Sequence, residues 1–153
     1  MKRLSIVLGL LMITSCYAWQ VIHLEQQHIQ EIQAQLNEEL LGLQKKIDSR
    51  LPVSSNASAG VVENRTLSIP RFTYSIFIIG DDLTSKQWLK DHTKELEAAK
   101  VLGFVTNIKE SQHLQELQAL TKTPLLPANV DELMILFKES HYPLAFVEGK
   151  LWQ

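Results

Sequence analysis

Between Trp19 and Leu51 the chain contains no proline and a single glycine, and large apolar residues recur at Ile29, Ile32, Leu36, Leu40, Leu43, Ile47 and Leu51. Steps of 3, 4, 4, 3, 4 and 4 residues put all seven on one face of a long helix. The pattern repeats every eleven residues rather than every seven, so the stripe runs nearly straight or drifts slightly right-handed, unlike a heptad coil. The other faces carry Gln26, Gln27, Gln30, Glu31, Gln33, Gln35, Glu38 and Lys45, which suit water. A helix of this length cannot hide such a stripe alone. Either the stripe packs on the rest of the chain, or it pairs with a second copy or a partner helix; the connector that follows favours the second arrangement. His23 and His28 are five residues apart, about 140° out of phase on a helix, so they do not share a face as metal ligands would.

Ahead of this helix, Lys2 and Arg3 precede Leu4 to Ile13, an apolar run interrupted only by Ser5 and Gly9. A basic pair followed by a short apolar stretch is the pattern of an export signal. The run ends in Ile13-Thr14-Ser15-Cys16, which is similar to a bacterial lipobox and makes Cys16, the chain's one cysteine, a candidate lipidation site. Cleavage after Ala18 and an uncleaved anchor reaching about Leu24 are the competing readings. All three place the rest of the chain outside the cytoplasm, in the bacterial cell envelope, with residues 1–18 as signal or anchor.

The composition excludes several classes. Of 153 residues, 15 are Lys or Arg and 17 Asp or Glu, for a formal net charge of −2, so there is no basic excess to hold a nucleic-acid backbone. A lone cysteine rules out an internal disulfide, a CxxC redox pair and a cysteine-based zinc cage. The 6 glycines form neither GxGxxG nor GxxxxGK[ST]. Residues 52–69, with Ser54, Ser55, Asn56, Ser58 and Gly60 and no periodicity, read as a flexible linker. Asn56 and Asn64 head glycosylation-like triplets that carry little weight beside a bacterial-type signal.

Residues 70–153 alternate strand and helix. Tyr74 to Ile79 is an apolar, β-branched run ending at Gly80; Ser85 to Lys100 is a helix with Trp88, Leu89, Leu96 and Ala99 as inner positions; Val101 to Ile108 is a second strand. Ser111 is a natural cap for a helix reaching about Lys122, Thr123 to Pro127 is extended, and Asn129 caps a third helix with Leu133, Met134, Leu136 and Phe137. Leu144 to Val147 and Lys150 to Trp152 form a hairpin turning at Glu148-Gly149. Such alternation predicts an α/β fold with a parallel core, an antiparallel edge and helices covering the sheet.

With Tyr142-Pro143 just before the penultimate strand, this order resembles a thioredoxin-like fold, a resemblance that implies a cis Pro143 beside the functional edge. Where a thioredoxin carries CxxC this chain reads Gly80-Asp81-Asp82-Leu83-Thr84-Ser85, so no disulfide exchange is available. The ordered set Phe77 to Asp82, Ser85, Trp88-Leu89, Gly103 to Asn107, Leu125 to Pro127, His141 to Leu144, Gly149 and Gln153 is similar to an uncharacterised protein family encoded in integrating conjugative elements. That resemblance implies an envelope component of a conjugation or type IV secretion apparatus.

Asp81 and Asp82 follow a buried strand at the edge where α/β folds place functional groups. Paired carboxylates there suit a divalent metal, which makes a metal-dependent enzyme one alternative; capping of the next helix accounts for them without any ligand. His92, His113 and His141 lack HxxxH or HExxH spacing. Ser85 has no GxSxG elbow, and Trp88 reads as core. No catalytic, cofactor or metal residue is assigned. The expectation is a protein-binding module whose partner surface comprises Asp81, Asp82, Tyr142 and Pro143, with self-association through the helical stripe. A chaperone for pilin or another exported protein is the remaining alternative.

Overall fold

The computed structural model describes residues 28–153. Cys16, His23 and the proposed signal and anchor lie outside the described residues. The chain divides into two units, one ending at Lys45 and the other running Lys46–Gln153. Helix α1 spans 28–48, and Ile29, Ile32, Leu36, Leu40 and Leu43 are all exposed along it. Among the described residues no helix is long and apolar enough to cross a membrane.

The second unit is an α/β domain. Its elements are β1 (Ser58–Ala59), β2 (Arg65–Thr66), β3 (Ile76–Gly80), α2 (Leu83–Ala98), β4 (Leu102–Thr106), α3 (Ser111–Gln118), β5 (Leu125–Pro127), α4 (Asp131–Phe137), β6 (His141–Tyr142), β7 (Leu144–Val147) and β8 (Lys150–Trp152). Six strands form one mixed sheet in the order β2-β8-β7-β3-β4-β5. The pairs β3·β4 and β4·β5 are parallel, while β7 runs antiparallel to both β3 and β8. Every residue of β3 is buried, as the central strand of a sheet covered on both faces requires. Its side chains alternate between two cores. Phe77 and Ile79 join Trp88, Leu89 and Leu96 of α2 and Leu114 and Leu117 of α3. Ile76 and Ile78 join Val130, Met134 and Phe137 around α4, with Leu144 and Phe146.

Residues 52–69 are not the flexible linker their composition suggests. Ala57 and Val62 are buried in the α4-side core, β1 pairs in parallel with β6, and β2 pairs antiparallel with β8. The Ser58 and Gly60 amides donate to Ser140 O at 3.1 Å and Tyr142 O at 2.9 Å. The small residues that look like a linker are what close approach demands: a Cβ on Gly60 would stand 2.6 Å from the His141 ring. The domain therefore begins near Lys46 rather than at residue 70, with Ile47, Leu51 and Val53 packed on the α2-side core.

Two cap assignments shift as well. Ser111 does not cap α3; its hydroxyl donates to Asp48 Oδ1 at 2.6 Å, and Glu110 occupies the cap position without a side-chain bond. Asn129 sits one residue ahead of the α4 cap, where its Oδ1 accepts the Asp131 amide at 2.9 Å. Ala99, expected on the inner face of α2, is its exposed C-cap.

Candidate functional site

The carboxyl edge of β3 and β4 is where the sequence directs attention, and the structure gives each residue there a definite partner. Asp82 is the N-cap of α2: its Oδ1 accepts the Ser85 amide at 2.9 Å and its Oδ2 accepts the Ser85 hydroxyl at 2.8 Å. Ser85, fully buried, uses the same oxygen to accept the Gly80 amide at 2.9 Å, so the strand end and helix start are locked together. Asp81 turns the other way. Its carboxylate meets Lys86 Nζ at 3.0 Å and His113 Nδ1 at 2.6 Å, tying β3 to α3. Lys86 also lies 3.8 Å from Glu116.

Tyr142 and Pro143 reach this edge from the opposite side, and the Tyr142–Pro143 peptide bond is cis, as is Leu51–Pro52. The Tyr142 ring lies directly on β3, where only a glycine leaves room: a Cβ on Gly80 would come within 2.4 Å of it. The Tyr142 hydroxyl accepts from Asn107 Nδ2 at 3.1 Å, and the same nitrogen donates to Ala57 O at 2.8 Å. Asn107 Oδ1 in turn accepts the Ser55 amide at 2.8 Å. Asn107 holds a left-handed backbone, φ 52°, which asparagine tolerates better than most residues. The Ser55 hydroxyl pairs with Thr106 Oγ1, and the Asp131 carboxylate accepts both the Asn56 amide at 2.8 Å and its Nδ2 at 2.9 Å. Residues 54–60 thus lie across the edge as a strap.

The expected partner surface of Asp81, Asp82, Tyr142 and Pro143 is consequently not an open face. Tyr142 and Pro143 are buried among the chain's own residues, and both carboxylates already have intramolecular partners. Among the described residues no three acidic, histidine or cysteine side chains are grouped as metal ligands. The histidines remain apart: His92 Nδ1 is 2.9 Å from Trp88 O with its ring against Trp88 and Trp152, His113 is held by Asp81, and His141 lies beside Ser58.

Three residues to which the sequence assigns no site role, Asn107, Arg65 and Gln153, build this region. Asn107 was visible only as a strand-end residue, although its type is suited to the left-handed turn it makes. Arg65 closes the end of α4, donating to Phe137 O at 2.9 Å, Lys138 O at 3.1 Å and Glu139 Oε2 at 3.2 Å. Burial alone would raise the Glu139 pKa, but the Ser140 amide, the Arg65 hydrogen bond, the His141 amide and the Arg65 charge together hold it below the usual carboxylate range. Gln153 stitches the strap to the hairpin, donating to Gly60 O at 2.7 Å and Pro143 O at 3.0 Å while accepting the Val62 amide at 3.1 Å. No periodicity signals either contact, because both partners are distant in sequence.

Comparison with known proteins gives a match between residues 15–149 and a family described as "Protein of unknown function (DUF2859)". No curated protein and no solved structure matches.

Proposed function

The chain belongs to the DUF2859 family, and from that premise and the geometry above we propose that it is a non-enzymatic, protein-binding component of the bacterial cell envelope, serving the transfer apparatus of an integrating conjugative element. The observation that carries the reading is α1, whose stripe leaves Ile29, Ile32, Leu36, Leu40 and Leu43 at least half exposed. A helix with this much apolar surface in water is stable only when something covers it, and a second copy or an apparatus helix is the covering that fits. The strand order β8-β7-β3-β4-β5, with Pro143 just before β7, supports a thioredoxin-like ancestry, and the engagement of Asp82 with Ser85 accounts for that carboxylate as a helix cap. Export rests on Lys2, Arg3 and the apolar run after them; Cys16 is the lipid acceptor in the lipoprotein form.

The test is photo-crosslinking from position 40 of the full chain in mating donor cells, together with transfer frequency. Crosslinks to itself or to envelope apparatus proteins are expected, with transfer lost in the Leu36→Glu/Leu40→Glu double variant. Undiminished transfer sinks the role. A reporter fused after residue 24 that works only in the cytoplasm removes the envelope location, and labelled fatty acid retained by Cys16→Ser removes lipidation alone.

A second reading has one observation in its favour: Asp81 holds His113 through Nδ1, the geometry that orients an imidazole for general-base work. It predicts an activity abolished by His113→Gln, whereas the binding reading predicts normal transfer by that variant.

A further inference from the structure

Beside the strapped edge runs an open groove of about 740 Å³, bounded by residues 59–61 on one side and the first turns of α2 on the other. Three independent features of its lining point to one kind of ligand. The first is an unpaired strand edge. In the parallel pairing of β1 with β6, Ser58 and Gly60 direct their amides to Ser140 and Tyr142, so Ala59, which lines the groove between them, turns its N–H and C=O away from β6. Those backbone groups are open to a further strand. The second is apolar surface held in water on both rims: Leu83 is 86% exposed and Val61 81% exposed. The third is polar. Trp88 lines the groove at 7% exposure, and its indole N–H has no acceptor among the described residues. A buried donor left unpaired is costly, so this wall of the groove has something to gain from a ligand that brings an acceptor to it.

Charge narrows the ligand further. Asp91 is the one acidic side chain of the lining, which contains no Lys or Arg. Gln87 Nε2 engages only its Oδ1, at 2.9 Å.

We infer that this groove binds an extended peptide segment of a partner protein, taken up as an added strand on the free edge of β1, with apolar side chains against Leu83 and Val61 and a basic side chain directed to Asp91. The inference rests on the protein-binding reading and gives it a second surface, separate from α1. The strap is then more than a cover: by pairing with β6 it supplies the edge on which the partner strand builds.

The probe is a random heptapeptide display library selected on the full-length chain, with Leu83→Asp and Asp91→Lys as comparison proteins whose melting is checked first. Both side chains are exposed, so folding should survive either change. Enriched sequences should carry Lys or Arg next to an apolar residue and lack proline at the central positions, where strand pairing needs an N–H. Binding should fall at least tenfold on Leu83→Asp, and Asp91→Lys should shift the selection toward acidic sequences. In labelled protein, the Ala59 amide and the Trp88 indole N–H should both shift on peptide addition. No enrichment, enriched peptides that bind both variants as well as the parent, or shifts confined to residues outside the groove would each overturn the proposal. Failure here with the position-40 crosslinks and transfer defect intact removes the groove alone. Peptide binding retained while the α1 variants transfer normally removes the transfer role alone.

Discussion

In helix α1, Ile29, Leu36 and Leu40 each leave slightly more than half of their surface in water, whereas Phe77, Ile78 and Ile79 of β3 are wholly buried. Side chains of similar apolarity have been put to opposite uses. In β3 they are covered on both faces by α2, α3 and α4, so the sequence that specifies the strand also specifies its neighbours. In α1 the same kind of residue specifies only a face. The contrast teaches that a hydrophobic pattern encodes geometry first, and that its cover is encoded only when it lies in the same folded unit.

The sharpest way to break this comparison is truncation of matched residues. Phe137, buried and stacked on Phe146 with ring centroids 5.0 Å apart, should cost about 3 to 5 kcal/mol as Phe137→Ala in denaturant unfolding of the domain. Leu40→Ala should change the same transition by less than about 0.5 kcal/mol. Equal losses would mean that the stripe is part of the domain core after all.

A smaller effect is expected at the strap. Asn107→Ala removes two donated hydrogen bonds and one accepted, at about 1 kcal/mol each, for a loss of about 2 to 3 kcal/mol. Hydrogen exchange of the Ser58 and Gly60 amides should accelerate more than that of β3. Uniform acceleration would show that the strap opens only when the whole domain does.

Smaller still for the domain, Leu36→Glu with Leu40→Glu should leave its melting unchanged while reducing any concentration-dependent mass of the full chain in sedimentation. A dimer that persists in the double variant would assign self-association to another surface.

A further small effect on the domain is read against pH. Because the native Glu139 pKa is depressed, its contribution is fully present above the unfolded value of about 4.3 and is lost as pH falls through the lower native value. Glu139→Gln should therefore be less stable than the parent near neutrality, with the difference narrowing in acid. A difference that widens in acid contradicts the assigned direction.

These contrasts also explain what was legible in the sequence. The β3, α2 and β4 alternation was readable because each element carries its own period, and the closing hairpin because Glu148-Gly149 marks the turn. The helical face of α1 was equally plain. What escaped was residues 52–69, where Ser, Asn, Ala and Gly read as looseness but act through contacts made far along the chain: Ser55 with Asn107, Asn56 with Asp131, Arg65 with Phe137. For the same reason the Asp81-Asp82 pair is legible as a place, while the packing of Tyr142 is not, since Ala57 and Gly60 beside it come from the segment that reads as a linker. Capping of α2 by Asp82 was readable because it is local.

The joining of β1 to β6 and of β2 to β8 has a consequence for the order in which the chain can assemble. Ser58 bonds to a residue 83 positions later, and Val62 to one 91 positions later. On a growing polypeptide, residues 54–66 emerge early; Ser55 and Asn56 must wait for Asn107 and Asp131, and Ser58, Gly60 and Val62 for partners among residues 140–153. Pairing across such separations pays its loop-closure entropy late and slows folding. The strap should be the last part of the domain to acquire protection in a pulse-labelled refolding experiment, and a chain interrupted before β6 should leave its N-terminal half sensitive to proteases even where β3, α2 and β4 have already come together.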